Sequence, residues 1–348
     1  MRRCARCVLP EVCPKIEFDH NGVCNVCKDF DNQWSMFKNN ELLREKELKG
    51  IFDSFRNRRE KYDCLVPFSG GLDSTYALYV CKRIYNLRVL AFNFDNGFQT
   101  KIAKQNIENA IDKLDVDFIR FSPTWENAKK LYALFFRKTG EFCTPCNLGI
   151  WSTSFKVAQE HDISLIVAGS SNRISERVPK GGRIYRWSPS YFKEVIRGEI
   201  PTTDVKEYLY LPNNFHNTVL HEGTRILPLP DYIDWDTKLI LATVKTELNW
   251  KPKGDKYHHI DCVMESVNDY FKQKKWGFSV ALYYSMLVRN KQISRDEALK
   301  LTLQEEKINS QEPPELNKWL EMLDLSRDDL EGFEKRDQSI YFPSTENS

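Results

Sequence analysis

The 348-residue sequence lacks the features of a membrane protein, of a secreted protein and of a strongly charged nucleic-acid-binding protein. No apolar run approaches the roughly 18 residues of a membrane-spanning helix. The first ten residues, MRRCARCVLP, lack the apolar stretch of a signal peptide. Lys and Arg together number 51 and Asp and Glu number 49, which is too small an excess to indicate a nucleic-acid partner. We therefore expect a cytoplasmic protein without a membrane or nucleic-acid partner.

A further absence narrows the kind of phosphate site that the chain can have. No Gly-Lys pair occurs anywhere, which excludes the Walker loop GxxxxGK(S/T) of kinases and GTPases. The glycine-rich segment that is present, residues 69–75 (SGGLDST, the glycine loop), lies between a strand-like apolar run and a helical pattern. Glycines let the backbone approach a ligand, and the first N–H groups of a helix attract anions. The segment predicts a phosphate site, with an ordinary strand-to-helix turn as the alternative.

Short apolar runs alternate with helical patterns from residue 63 onward. This alternation predicts an α/β protein with a doubly wound, mainly parallel sheet. The cysteine-rich start predicts a separate module over residues 1–35, followed by an exposed connecting helix over residues 36–62. We expect the α/β domain to span residues 63–235 and a helical C-terminal region to span residues 236–348.

Candidate ligand contacts lie in the glycine loop and at the ends of two later strand-like runs. Within the loop they are Ser69, Gly70, Gly71, Leu72, Asp73, Ser74 and Thr75. The segment FDNG places Asp95 and Asn96 after the second strand, where they could meet ribose or phosphate or could simply form a turn. The segment AGSSNR adds Gly169, Ser170, Asn172 and Arg173. Because parallel strands end at one edge of a sheet, we expect these residues to face one ligand.

Two CxxC pairs near the N-terminus predict a metal site. Sixteen residues separate Cys4 and Cys7 from Cys24 and Cys27, the spacing of a four-thiolate zinc ribbon. Zinc would supply the folding energy that a segment of this length cannot obtain from an apolar core, so a structural role is expected. Cys13 has no place in a closed four-ligand site.

A third CxxC pair, Cys143 and Cys146, lies between two helical patterns. Two thiolates do not complete a metal site, and Cys262 is the candidate third ligand of a second metal ion or an iron-sulfur cluster. The alternatives are a packed turn or a lone dithiol, with Cys262 as a buried residue at the start of a helix.

The order SGGxDS resembles the pyrophosphate loop of the N-type ATP pyrophosphatases, the PP-loop superfamily. The wider layout resembles the N-acetyl sugar amidotransferases of bacterial surface-polysaccharide biosynthesis, which includes lipopolysaccharide and O-antigen. The residues that carry this resemblance are CARCVLPEVC, SGGLDST, FDNGFQ, CTPCNLG, KKWGF and SRDEAL.

The resemblance implies that ATP is cleaved between its α and β phosphates while the glycine loop holds the leaving pyrophosphate. Asp73, Ser69 and Ser74 would be the catalytic residues, with Asp73 positioning magnesium or the triphosphate. The acceptor would be the acetamido group of a nucleotide-linked sugar, and ammonia would displace AMP to give an acetamidino group.

The source of ammonia is not evident within the chain. Residue 2 is Arg where a class II glutaminase needs Cys, and GVCNV is the nearest segment to the GxCxG elbow of a class I glutaminase. We expect a separate glutaminase partner, with a cyclase-like ammonia-channel subunit as a further candidate. One alternative is a PP-loop sulfurtransferase that thiolates tRNA with a cluster or persulfide at Cys143 and Cys146. The other is a zinc-dependent nucleic-acid-binding or regulatory protein that no longer hydrolyses ATP.

Overall fold

A six-stranded sheet organises the chain in this computed structural model. The structure describes residues 1–34, 40–56, 61–176, 178–179, 188–211, 220–221, 223–254 and 258–341. The strands are β1 (Cys64–Pro67), β2 (Val89–Phe94), β3 (Asp117–Phe121), β4 (Leu165–Ala168), β5 (Leu220–His221) and β6 (Thr224–Pro228). Their order is β3-β2-β1-β4-β6-β5, and every neighbouring pair is parallel except β5 and β6. The predicted mainly parallel sheet is confirmed.

Helices cover both faces of the sheet, as expected of a doubly wound fold. They are α1 (Asn25–Trp34), α2 (Glu41–Arg56), α3 (Leu72–Tyr79), α4 (Lys101–Leu114), α5 (Trp125–Thr139), α6 (Cys143–Glu160), α7 (Pro189–Ile196), α8 (Thr237–Leu248), α9 (Glu265–Trp276), α10 (Ala281–Arg289), α11 (Arg295–Asn309) and α12 (Leu316–Met322). Val66 packs in one core with α3, α4 and α8, whereas its neighbour Leu65 packs in a second core with α5, α6 and α7. Strands buried on both faces read as continuous apolar runs, as LIVA does in β4.

The helix predicted to connect the first module to the sheet is α2. Residues 36–39 and 57–60 of that prediction, and residue 35 of the predicted module, lie outside the described residues. Leu42 is 82% exposed, as expected of a surface helix, but Leu48 and Phe52 are fully buried against the sheet's first core. The expectation of an exposed connector is wrong for this face, because the helix covers apolar residues of the α/β core.

The cysteine module, residues 1–34, packs against the C-terminal helices. Its buried cysteines share a core with Phe278 and with Ala281 and Leu282 of α10. The Val8 N–H donates to Ser285 Oγ at 3.2 Å, and Arg3 forms a buried ion pair with Glu306 at 2.5 Å. The first and last parts of the chain are therefore folded against each other.

The C-terminal region is helical from α8 to α12 over its described residues. Helix α8 lies on the sheet beside α3 and α4, whereas α9 and α12 pack with α5 around Phe136 and Trp319. None of the helices in the described ranges is both long enough and apolar enough to cross a membrane.

Candidate active site

The glycine loop connects the end of β1 directly to the start of α3. Gly70 has a φ of +82°, and a β-carbon there would lie 2.3 Å from the carbonyl oxygen of Ala103. Only glycine fits, because other residues would meet both an unfavourable backbone angle and a neighbouring backbone atom. Gly71 is the N-cap of α3 and has no side chain to occupy the first N–H groups of the helix. No side-chain capping hydrogen bond therefore occupies those N–H groups.

Hydrogen bonds hold the loop in this shape. The Ser69 N–H donates to Ser74 Oγ at 3.2 Å, and Ser74 Oγ donates to the Gly71 carbonyl at 3.3 Å. The Gly70 carbonyl accepts from Trp250 Nε1 at 2.9 Å. Ser69 and Ser74 remain partly exposed. Donors that are fixed before a ligand arrives cost no reorganisation when it binds.

Two predicted members of the loop face inward. The Thr75 side chain is fully buried, and its hydroxyl donates to the Gly71 carbonyl at 2.7 Å. Leu72 packs in the first core of the sheet. Thr75 thus stabilises the loop from behind, and Leu72 can offer a ligand only its backbone N–H.

Asp73 lies in the first turn of α3 with its carboxyl group exposed to solvent. Its Oδ1 accepts a hydrogen bond from Trp235 Nε1 at 2.7 Å. Desolvation by the surrounding protein raises the pKa of Asp73, the Trp235 bond and the His259 charge oppose that rise, and the Asp261 carboxylate adds to it. A second carboxylate beside Asp73 makes this corner of the loop suited to a cation.

An irregular segment, residues 258–264 (the strap), crosses the sheet edge beside the glycine loop. On one side, the Val263 N–H donates to the Phe98 carbonyl at 2.8 Å and Thr100 Oγ1 donates to the Ile260 carbonyl at 2.7 Å, just after β2. On the other side, His259 Nε2 lies 3.1 Å from Glu176 Oε1, on the segment after β4. Since β1 lies between β2 and β4, the strap spans the loop that follows β1.

Sequence reasoning missed Glu176 and the strap residue Asp261 as parts of this site, and it left open whether His258 or His259 reaches it. The signal was present in HHIDC, which places two imidazoles, a carboxylate and a thiol within five residues. What the sequence does not reveal is the pairing with residues 98–100, which brings this segment to the glycine loop.

His259 and Glu176 form an ion pair at neutral pH. Desolvation lowers the pKa of His259, but the hydrogen bond to Glu176 and the Glu265 charge outweigh it and raise this pKa to about 9. Desolvation raises the pKa of Glu176, but the Lys272 charge and the bond to His259 outweigh it and lower this pKa to about 2. At neutral pH the pair therefore places an imidazolium close enough to Asp73 for its charge to act on that carboxyl group.

The residues predicted after β2 line a cavity of about 280 Å³ at the ends of β2 and β3. Its lining residues are Asp95, Asn96, Gly97, Lys104, Ser122, Pro123 and Trp125. Asp95 Oδ1 accepts from the Gly97 N–H at 3.1 Å, and Asp95 Oδ2 accepts from Lys104 Nζ at 3.0 Å. The segment is thus a turn and also the wall of a cavity, so both interpretations of FDNG fit the geometry.

The residues predicted after β4 divide into two groups. A β-carbon at Gly169 would lie 2.6 Å from the Asp73 carbonyl oxygen, so this glycine allows the close approach of the glycine loop. Ser170 and Asn172 follow it and are exposed. The Arg173 side chain is buried, and its guanidinium donates to the carbonyls of Pro230 at 2.8 Å and Ile233 at 2.9 Å. Arg173 therefore holds the segment after β6, which is a different use from its predicted contact with a nucleotide.

Comparison with known families identifies the region that contains the strap. Residues 249–345 match the model of the C-terminal domain of WbpG-like lipopolysaccharide biosynthesis proteins. The chain carries a WbpG-like C-terminal domain. The match agrees with the surface-polysaccharide family that the sequence motifs resemble. The WbpG-like domain contributes the strap to the glycine loop and carries helices α9–α12.

Other comparisons are more distant. The uncharacterized protein MJ1599 of Methanocaldococcus jannaschii is 30% identical over 117 residues, or 34% of this chain, and the chain spans 41% of that protein's length. The U34-tRNA thiolase NcsA of Methanococcus maripaludis, solved with its 4Fe-4S cluster, is 14% identical with a TM-score of 0.35, covering 93% of this chain and 89% of its own. The NH3-dependent NAD synthetase of Campylobacter jejuni is 13% identical with a TM-score of 0.36, covering 78% and 97%. Similarity at this level says nothing about activity.

The four N-terminal cysteines converge beside α10 of the WbpG-like domain. Cys4, Cys7, Cys24 and Cys27 are buried, and their Sγ atoms lie within 4.8 Å of one another. Backbone N–H groups of Cys7 and Cys24 donate to Cys4 Sγ at 3.4 and 3.2 Å. Desolvation raises the pKa of Cys13 to about 12, so this nearby fifth cysteine is a neutral thiol.

A buried guanidinium supports the interpretation of these cysteines as thiolates around a divalent ion. Arg289 is 3% exposed, and its Nη1 and Nη2 have no hydrogen-bond partner among the described residues. Its charge acts on Cys7 and Cys13, and it lies 6.0 Å from the Phe30 ring. Four thiolates around a divalent cation carry two net negative charges, and the buried arginine offsets one of them. The donor set therefore fits zinc.

The strap also brings Cys262 toward Cys143 and Cys146 at the start of α6. Cys262 pairs with Gln99, Asn96 Nδ2 donates to Cys146 Sγ at 3.0 Å, and all three cysteines are partly exposed in one region. Within the described residues, however, these three Sγ atoms do not all lie within 4.8 Å of one another, in contrast to the N-terminal four.

Proposed function

We propose that this chain is an ATP-dependent, AMP-forming amidotransferase that converts the N-acetyl group of a nucleotide-linked sugar to an acetamidino group in surface-polysaccharide biosynthesis. The observation that carries the proposal is the joining of an SGGxDS loop, open at the start of α3, to a WbpG-like domain that reaches over it. The loop supports the ATP chemistry, and the family of the domain supports the acceptor class. Such substrates place the reaction in the cytoplasm.

In the first step the acetamido oxygen attacks the α phosphorus of ATP. The bond from this phosphorus to the bridging oxygen breaks, and pyrophosphate leaves with the electron pair. The N–H groups at the start of α3 and the hydroxyl of Ser69 would bind the departing charge, and the Ser74 hydroxyl would join them by turning from the Gly71 carbonyl. Donors of this kind are among the largest contributions to enzyme catalysis.

In the second step ammonia adds to the activated carbon, and AMP leaves with the former carbonyl oxygen. An amide oxygen is a poor leaving group, and its new bond to the α phosphorus turns it into a good one. Magnesium, when bound, neutralises part of the phosphate charge. Asp73 is the residue that would hold it, and its exposed carboxyl group beside a second carboxylate fits a hard divalent cation.

The ammonia is proposed to come from a separate glutaminase, with a cyclase-like channel subunit as a further partner. Purified chain should use ammonium as nitrogen donor and should fail with glutamine alone. Equal rates with glutamine and with ammonium would overturn the need for a partner.

The test of the reaction is a screen with ATP, magnesium and ammonium against nucleotide-linked mono- and diacetamido sugars. Pyrophosphate and AMP should form together with a sugar in which NH replaces the carbonyl oxygen, as detected by mass spectrometry. Asp73→Asn is the matched negative control, since its amide oxygen can still accept the bond from Trp235. Pyrophosphate release that depends on tRNA and on no sugar would overturn the proposal.

A second candidate function is supported by the three cysteines that lie in one region at the strap and the start of α6. If Cys143, Cys146 and Cys262 carry an iron-sulfur cluster or a persulfide, the same adenylation would lead to thiolation of tRNA. Anaerobically purified protein would then be brown, and Cys143→Ser would abolish transfer of sulfur. Under the amidotransferase proposal, Cys143→Ser and Cys146→Ser retain transfer of ammonia. A regulatory protein without ATP cleavage would release no pyrophosphate with any acceptor.

A further inference from the structure

The glycine loop lacks a cationic side chain of its own. Residues 69–75 contain neither Lys nor Arg, although the triphosphate of ATP carries several negative charges. Arg173, the cation predicted from sequence, is bound to backbone carbonyls after β6. Lys104 lies on the β2 side of the site and is paired with Asp95 at 3.0 Å. Both of these cations are therefore engaged by protein groups.

The strap places one cation, the His259 imidazolium, beside the glycine loop. His259 is 50% exposed by side chain, pairs with Glu176 through Nε2, and is close enough to Asp73 for its charge to act on that carboxyl group. Among the described residues, Nδ1 of His259 has no hydrogen-bond partner. One ring nitrogen is thus held by the protein, and the other is left for a ligand.

Contacts of the residues before and after His259 fix the position of its imidazole. His259 has a φ of +48°, in the left-handed region that few non-glycine residues adopt. The preceding His258 stacks on Tyr283 with ring centroids 4.5 Å apart. The following Ile260 and Asp261 are bound through their carbonyls to Thr100. The strap therefore has little freedom to move the imidazole ring away from the glycine loop.

We propose that His259, oriented by Glu176, binds the β and γ phosphates of the bound nucleotide through Nδ1–H. This inference rests on the proposed ATP site and adds to it a phosphate-binding residue from the WbpG-like domain. Glu176 is a positioning residue, since it acts through the imidazole. The contact is a charge-assisted hydrogen bond in which His259 keeps its protons. The glycine loop and the strap then form the two walls of one pyrophosphate site.

The test measures equilibrium binding of inorganic pyrophosphate with magnesium, and of adenosine, by isothermal titration calorimetry. His259→Gln should weaken pyrophosphate binding about 10- to 100-fold, the range for loss of one hydrogen bond to a charged group. Adenosine binding should stay within about twofold. His259→Lys should restore part of the affinity, and Glu176→Gln should reduce it by a smaller factor. His161→Gln, which changes an exposed imidazole at the C-terminal end of α6, is the matched control and should leave pyrophosphate binding unchanged.

The outcomes separate this inference from the proposed reaction. Unchanged pyrophosphate affinity in His259→Gln, or an equal loss for adenosine and pyrophosphate, would overturn the role of His259 and leave the amidotransferase proposal standing. A selective loss of pyrophosphate affinity would support it even if no acetamido sugar proves to be an acceptor. No binding of pyrophosphate by the unaltered chain would overturn both.

Discussion

The Asp261 carboxylate of the strap lies against Gly71 of the glycine loop, with Oδ2 at 3.3 Å from the position that a β-carbon on Gly71 would occupy. This relationship joins the two parts of the chain that carry functional signals. The loop belongs to the α/β core, and Asp261 belongs to the WbpG-like domain. Chemistry at the loop therefore takes place in surroundings that the C-terminal domain helps to define.

Gly70→Ala should destabilise the protein by about 1–3 kcal/mol and abolish pyrophosphate release. The new β-carbon would have to adopt a φ of +82° and displace the Ala103 carbonyl. Thermal unfolding and a pyrophosphate assay measure the two effects. Gly50→Ala, on α2 with no atom within 4 Å of the new carbon, is the control and should raise stability by up to about 1 kcal/mol. Equal behaviour of the two variants would contradict the role given to Gly70.

Asp73→Asn should lower pyrophosphate release by at least about 100-fold with little change in the melting temperature. The substitution removes the charge that would hold magnesium and keeps an oxygen for Trp235 Nε1. Initial rates at several magnesium concentrations give the measurement. Retained activity would show that the phosphate chemistry does not depend on this carboxyl group.

Cys7→Ser should lose bound zinc and lower the melting temperature of the whole chain. The cysteine module shares a core with α10, so its loosening exposes Phe278 and Leu282 as well as its own residues. Metal content by mass spectrometry and calorimetric unfolding provide the readouts. Cys13→Ala is the matched control, because this cysteine is buried in the same core and is not one of the four converging cysteines. Equal zinc loss from both variants would contradict the assignment of ligands.

Glu176→Gln should lower the free energy of unfolding most between about pH 4.5 and 6.5. The pKa of His259 is raised from 6.5 to about 9, so its contribution is complete below 6.5 and is lost as pH rises through 9. The pKa of Glu176 is lowered from 4.5 to about 2, so its contribution is complete above 4.5 and is lost as pH falls through 2. Denaturant unfolding of both proteins at pH 5.5 and pH 9.5 measures the difference. A difference in the free energy of unfolding between the two proteins that is as large at pH 9.5 as at pH 5.5 would argue against the ion pair.

Local features of the sequence predicted much of the fold and of the site. The glycine loop was recognisable because its chemistry depends on neighbouring residues, and the four N-terminal cysteines because ligand spacing constrains a short segment. The apolar run of β4 and its neighbours predicted the parallel sheet.

Long-range pairing accounts for what the sequence did not reveal. Arg173 follows β4 as a ligand residue would, but the carbonyls of Pro230 and Ile233 decide where its guanidinium lies. His259 finds Glu176 only because the strap pairs with residues 98–100. In α2, an apolar stripe is visible in the sequence, but whether it faces solvent or core depends on the sheet beneath it.

The docking of the cysteine module on α10 and α11 has a consequence for synthesis of the protein. Arg3 and Val8 leave the ribosome well before their partners Glu306 and Ser285, which lie 303 and 277 residues further along the chain. The strap also follows all six strands along the chain. A nascent chain can therefore assemble the sheet first, and it completes the wall above the glycine loop and covers Arg3 and Val8 only after the strap, α10 and α11 have been made.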